Sequence, residues 1–253
     1  MNRIAIGPEG RFSFGGKNFV LSVAVKDRPP STSEAFTIAK NEHYIRVYEE
    51  LASGFSPRSI LELGIFQGGS YVLLDKLFKP RRMSAVDISR EPVAALCHYV
   101  ADKEDRFVHF STSQSDGEVL ERIVRNELAD ELDLVVDDAS HTYEQTKASF
   151  EILFALLRPG GIYLIEDWNW AHHPYYQAPD APFSKGHALS NLLFEQLMLM
   201  GSTSLISEIR VWKFLYLIRK AETVFPAPDT GQEGESGSVF DQIVSRGRKW
   251  NLI

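Results

Sequence analysis

Two acidic pairs carry the strongest chemical signal in this 253-residue chain. The first ends the run Asp133-Leu134-Val135-Val136-Asp137-Asp138 and is followed by Ala139-Ser140-His141; the second ends Ile162-Tyr163-Leu164-Ile165-Glu166-Asp167 and is followed by Trp168. Each pair follows a short hydrophobic run of strand type. That places both at carboxyl ends of parallel strands, the binding edge of an open α/β sheet. On adjacent strands the four carboxylates repel one another unless a cation intervenes, and oxygen donors of this kind suit Mg²⁺, Mn²⁺ or Ca²⁺. His141, three residues after Asp138, is within reach of a substrate hydroxyl held at such a cation. A neutral imidazole is a suitable general base for a hydroxyl that a metal has acidified. The competing reading is structural: Asp137 and Asp138 cap the next helix and His141 lies on its surface. The matching Glu166-Asp167 pair favours the chemical reading.

A second constellation lies upstream. Leu61-Glu62-Leu63-Gly64-Ile65-Phe66-Gln67-Gly68-Gly69-Ser70 joins a strand to an apolar helix. Glycines such as Gly64 and Gly68 let backbone approach a ligand closely, and the helix start offers free N–H donors. The spacing is not G-x-G-x-x-G, so the case for a dinucleotide is weak. Glu62 places a carboxylate where a phosphate is repelled and a cationic, methionine-derived group is welcome. Asp87 ends the next strand, where an acid can accept both ribose hydroxyls of NAD or of S-adenosylmethionine. Gln114-Ser115-Asp116 follows the third strand and supplies either contacts to an adenine or a helix cap.

These residues need a frame, and the pattern provides one. Strand-like runs at Ile60–Ile65, Met83–Ile88, Phe107–Ser111, Leu132–Val136 and Ile162–Ile165 alternate with helical stretches, which predicts a parallel, doubly wound sheet. Ser204–Ile209 and Lys213–Ile218 read as an antiparallel pair closing one edge. Five βα units followed by a hairpin is the element order of a Rossmann-like class I methyltransferase, an α/β fold with a mostly parallel seven-stranded sheet. Upstream, two apolar segments around Gly15-Gly16 predict a β-hairpin extension, and Ser31-x-x-Glu34 reads as a capping box opening a helix that runs through Tyr44, Val47 and Leu51. The expected organisation is a hairpin extension over 1–30, the main domain over 31–222, and a flexible linker and tail over 223–253, with a short helix at Phe240–Trp250.

Composition narrows the function classes. The chain is 44% apolar and 24% charged, which is ordinary globular usage, so a fibrous or wholly disordered protein is excluded. A net charge of −7 gives no broad attraction for nucleic acid or anionic lipid, so neither is an expected partner. No secretory signal or membrane-spanning run is evident, and a cytoplasmic location is expected. Cys97 is the only cysteine, which rules out an intrachain disulfide and a cysteine-rich metal site; it reads as a core residue.

Taken together, the Glu-Leu-Gly turn, Gln-Ser-Asp, Asp-Asp-x-Ser-His and Glu-Asp-Trp resemble the macrocin O-methyltransferase family, whose members include metal-dependent sugar O-methyltransferases of antibiotic pathways. The resemblance covers about residues 40–220. It implies Mg²⁺ coordination by Asp138, Glu166 and Asp167, with His141 as catalytic base. It implies S-adenosylmethionine contacts at Glu62, Gly64, Ser70, Asp87 and Gln114, with Asp137 facing the cofactor or supporting the site. Ala139 stands where many relatives carry glycine. The expected reaction is methylation of a sugar hydroxyl on a small-molecule acceptor; the alternatives are a catechol-type O-methyltransferase and a non-catalytic cofactor-binding module. The aromatic connection over 168–187, with Trp168, Trp170, His172 and Tyr175, is the expected acceptor lid. The oligomeric state, homo-oligomer included, is left open.

Overall fold

The computed structural model describes residues 3–23, 28–176, 178–181 and 183–222. The linker, tail and terminal helix expected beyond residue 222 lie outside these. The N-terminal strands β1 (Arg11–Phe14) and β2 (Lys17–Leu21) form an antiparallel hairpin around Gly15-Gly16. The following segment departs from expectation. Residues Ala35–Ile38 are a strand, β3, which pairs in parallel with β2. The Ser31 hydroxyl does not cap a helix: it donates to the Gln67 carbonyl and accepts from Thr37 N. Helix α1 (Glu42–Gly54) starts eight residues after Glu34, and Asn41 caps it by accepting from His43 N.

The main sheet uses β4 (Ser59–Leu63), β5 (Arg82–Val86), β6 (Arg106–His109), β7 (Leu134–Asp137), β8 (Ile162–Glu166), β9 (Ile206–Val211) and β10 (Leu215–Lys220). Their order is β6-β5-β4-β7-β8-β10-β9, with β4 to β8 parallel and β10 antiparallel to both neighbours. The chain runs outward from β4 to β6 and then returns to add β7 on the other side. That reversal between β4 and β7 is the topological switch point where such sheets bind ligands.

Strand alternation divides the core in two. Ile60 of β4 joins one face with Tyr44, Ile45 and Tyr48 of α1 and the buried side of α2 (Gly69–Phe78), while Leu61 and Leu63 join the other with α4 (Gly117–Asn126), α5 (Tyr143–Leu156) and α6 (Ser190–Ser202). The short helix α3 (Ala94–Val100) carries Cys97, which is half-buried and not part of the core as expected, because Leu96 and Tyr99 form the packed face of that helix.

Candidate active site

The cofactor-side residues are gathered at the ends of β4, β5 and β6. Gly64, at φ +94°, lies so close to the end of β7 that a Cβ there would meet the Asp138 carbonyl at 2.1 Å, so no other residue fits. Gly68, also left-handed, caps α2. Asp87 shapes this turn: Oδ2 accepts from Ile65 N at 2.7 Å and Phe66 N at 2.9 Å, and Oδ1 from Ser89 N at 2.7 Å. Gln114 is buried, accepts from Ser140 N at 2.9 Å and donates to Asp137 and Ser149. It is Asp116, not Gln114, that caps α4. Gly64, Asp87, Gln114 and Asp138 line one cleft of about 990 Å³, together with Ser31, Phe66 and Ser140.

Besides Gly68, three residues expected at the cofactor do not line that cleft. Ser70 is buried in the first turn of α2. Asp137 accepts from Ser149 Oγ and Tyr163 Oη, both at 2.8 Å, so it supports the site from beneath; burial raises it to about 6, with the Ser149 and Tyr163 hydroxyls opposing. Glu62 is 0% exposed, neither oxygen has a hydrogen bond of regular geometry, and burial pushes it up to about 8 against Ser70 and Lys40.

The acidic pairs meet beside the cleft. Parallel pairing of β7 and β8 sets Asp137 opposite Ile165, which brings the following acids together. His141 Nε2 is 3.8 Å from both Asp138 Oδ1 and Asp167 Oδ2, and one donor atom from each of the three lies within 4.8 Å of the others. His141 and Asp167 are both left-handed, at φ 56° and 53°. Thr142 holds the N-cap position of α5, so Asp137 and Asp138 are not helix caps. Asp138 and Asp167 offer carboxylate oxygens that fit a hard divalent cation, with the His141 imidazole beside them.

Glu166 is not part of this cluster. Its two oxygens accept from Lys40 Nζ and the Tyr48 hydroxyl, while Lys40 also reaches Asp138 and the Tyr44 hydroxyl reaches Asp167. Burial opposes the charge on Lys40, yet the two ion pairs hold its pKa well above the ordinary lysine value. Burial outweighs Lys40 at Glu166 and lifts it to about 7. Lys40 and Tyr48 were absent from the sequence reading, and Tyr44 entered it only as a helix residue. The signal for them was available: a strand-type run Phe36-Thr37-Ile38 two residues before Lys40, then a capping Asn41.

The aromatic connection divides. Trp170 lies 4.4 Å from the His141 ring and stacks on Tyr176, which Phe183 meets edge-on. Tyr175 is 77% exposed beside them. Trp168 turns away, donating to the Trp212 carbonyl and packing edge-on against Tyr216, and His172 Nε2 is tied to Ser190 Oγ at 2.7 Å.

Residues 35–196, which hold the Gly64 turn, Asp87, Gln114, both acidic pairs and His141, match the rhamnosyl O-methyltransferase/CmcI family. The chain belongs to that family. It is 30% identical over 165 residues to the 8-demethyl-8-(2-methoxy-alpha-L-rhamnosyl)-tetracenomycin-C 3'-O-methyltransferase of Streptomyces olivaceus, covering 62% of this chain and 38% of the relative. It is 29% identical over 147 residues to the demethylmacrocin O-methyltransferase of Streptomyces fradiae, covering 55% and 34%. The chain thus spans little more than a third of the length of these relatives. Among solved structures, MycE from the mycinamycin pathway, in complex with Mg, SAH and mycinamycin VI, superimposes with a TM-score of 0.50 at 25% identity over 71% of this chain and 49% of MycE. The O-methyltransferase TomG of Streptomyces achromogenes, at 18% identity and TM-score 0.51 over 72% and 82%, shares the fold.

Proposed function

We propose that this chain is an S-adenosylmethionine-dependent, divalent-cation-dependent O-methyltransferase that acts on a sugar hydroxyl of a glycosylated small molecule. The observation that carries this reading is the position of Asp138, which both lines the cleft and belongs to the Asp138–His141–Asp167 cluster. A methyl donor in the cleft and a cation at the cluster therefore share one wall. The cleft has the volume of a small-molecule site, and Asp87, Gln114 and the Gly64 turn offer polar contacts to a nucleoside. Glu62 adds acceptor oxygens without a donor beneath the turn. Asp138 and Asp167, with Glu166 of the same acidic pair, would hold the cation, which would acidify the acceptor hydroxyl.

His141 is the general base in this reading. It removes the hydroxyl proton at Nε2 as the oxygen–methyl bond forms and the methyl–sulfur bond of the donor breaks, leaving S-adenosylhomocysteine. Trp170, Tyr175 and Tyr176 offer flat faces that suit a sugar ring or aglycone and exclude water from the base. The test is transfer of labelled methyl from S-adenosylmethionine to rhamnosylated acceptors with and without Mg²⁺. Transfer should stop in EDTA and return with Mg²⁺, whereas full transfer in EDTA defeats the cation assignment.

A further inference from the structure

One residue ties the segment between β2 and β3 to the turn after β4. Ser31 N donates to Gln67 Oε1 at 3.0 Å, and the Ser31 hydroxyl donates to the Gln67 carbonyl at 2.7 Å while accepting from Thr37 N at 2.9 Å. Ser31 and Gln67 both line the cleft. Ser31 lies outside the family match, which begins at residue 35.

The contact fixes which way the Gln67 amide faces. A backbone N–H can bond only the oxygen end, so the –NH₂ end is turned away from Ser31, and no described residue accepts from Nε2. The cleft has use for such a donor. Asp87, Glu91 and Asp138 line it, but among the described residues no lysine or arginine does. The amino-acid end of S-adenosylmethionine carries a carboxylate, which neutral N–H and O–H groups must therefore meet. Gln67 directly precedes Gly68, the N-cap of α2, which provides no side-chain cap, so the positive end of that helix favours a negative group at the same turn.

We propose that Gln67 binds the carboxylate of the methyl donor through Nε2, and that Ser31 is the positioning residue that presents it. This rests on the S-adenosylmethionine reading above. A segment outside the family match thereby sets how tightly the amino-acid end of the donor is held, while the nucleoside end depends on other residues.

The experiment is calorimetry of the full chain with two ligands: S-adenosylhomocysteine, and methylthioadenosine, which keeps the nucleoside and the sulfur but has no carboxylate. Gln67→Leu should lose at least about tenfold in affinity for S-adenosylhomocysteine, the effect of removing one hydrogen bond to a charged group, with methylthioadenosine held within about twofold of wild type. Gln67→Glu, which still accepts from Ser31 N but sets a charge against the carboxylate, should lose at least as much, again for S-adenosylhomocysteine alone. Ser31→Ala should lose at least about threefold for that ligand alone, and Ser31→Thr, which keeps the hydroxyl, should stay within about twofold of wild type. Unchanged S-adenosylhomocysteine affinity in Gln67→Leu overturns the inference, as do equal losses for both ligands, which assign the contact to turn structure. If Gln67→Leu fails to fold, the isosteric Gln67→Glu decides by the same two outcomes. An unchanged Ser31→Ala variant overturns the positioning role of Ser31. Wild type that binds methylthioadenosine as tightly as S-adenosylhomocysteine overturns this inference alone, whereas wild type that binds neither overturns the S-adenosylmethionine reading and this inference with it.

Discussion

On the β4–β5–β6 side of the sheet edge, the polar groups that line the cleft are satisfied by nearby turns: Asp87 accepts from amides of its own loop and of the neighbouring turn, and Gln114 from Ser140. On the β7–β8 side the charges are buried and are satisfied from far along the chain, with Lys40 reaching Asp138 and Glu166 across sequence separations of 98 and 126 residues. The cleft is thus a product of turn geometry, and its shape needs no compensating charge. The acid cluster is a product of β7–β8 pairing, and its donors arrive with Lys40 and the first turns of α1. Substitutions in the first half should lose binding in modest steps. Those in the second should change chemistry or stability sharply.

The largest effect tests whether the halves are separable. His141→Ala should lower kcat by about 10²–10⁴-fold, the contribution of a positioned acid–base group, while S-adenosylhomocysteine affinity stays within about twofold of wild type. The side chain is not among the residues lining the cleft, so its loss should leave the cofactor contacts intact. An undiminished rate with an unchanged pH–rate profile removes His141 from the mechanism. Parallel losses in kcat and cofactor affinity mean that the two halves act as one unit.

Glu62 lies beneath the junction of the halves and gives a stability effect of intermediate size. Its folded value of about 8 is above the ordinary 4.5, so the folded state keeps a proton that the unfolded chain releases as pH rises between them. The stabilising contribution is therefore complete below about pH 4.5 and is lost as pH rises through about 8. Asp137 and Glu166, raised to about 6 and about 7, act in the same direction. Glu62→Gln should match wild type at pH 4 and exceed it at pH 9 on the order of 2–4 kcal/mol, measured by urea unfolding without ligands. Parallel pH dependences for the two proteins contradict the buried, unpaired state of this carboxylate.

Much of the sheet edge was legible because its signals are local. The alternation of strand and helix, the Gly64–Ser70 turn and the two acidic pairs each announce a strand end within a few residues, and the sheet order then brings them together. The 31–51 segment was not legible for the opposite reason. Ser31 and Glu34 have the spacing of a capping box, but Ala35–Ile38 pairs with Asn18–Leu21, a contact outside any local window. Reading one long helix there hid both the strand and the row of donors it delivers. The tie between Glu166 and Lys40 was equally out of reach, since residue spacing gives which acids share an edge but not which cation meets them first.

Asp87 gives the smallest effect and sharpens the account of the cofactor half, because its carboxylate has two separable roles. As an acceptor for Ile65 N and Phe66 N it holds the turn, and as an acid lining the cleft it would face the ribose in the proposed reading. Asp87→Ala removes both and should weaken S-adenosylhomocysteine binding by about 1–3 kcal/mol, measured by calorimetry, with little change in kcat at saturation. Asp87→Asn separates the roles: its amide carbonyl still accepts from the two backbone N–H groups, while the charge that favours a pair of hydroxyl donors is gone. An affinity for the Asn variant midway between wild type and Ala supports both roles. Full recovery assigns Asp87 to turn geometry alone. Unchanged affinity in a folded Asp87→Ala variant defeats the cofactor assignment of this half, because the turn and the cleft both depend on the same carboxylate.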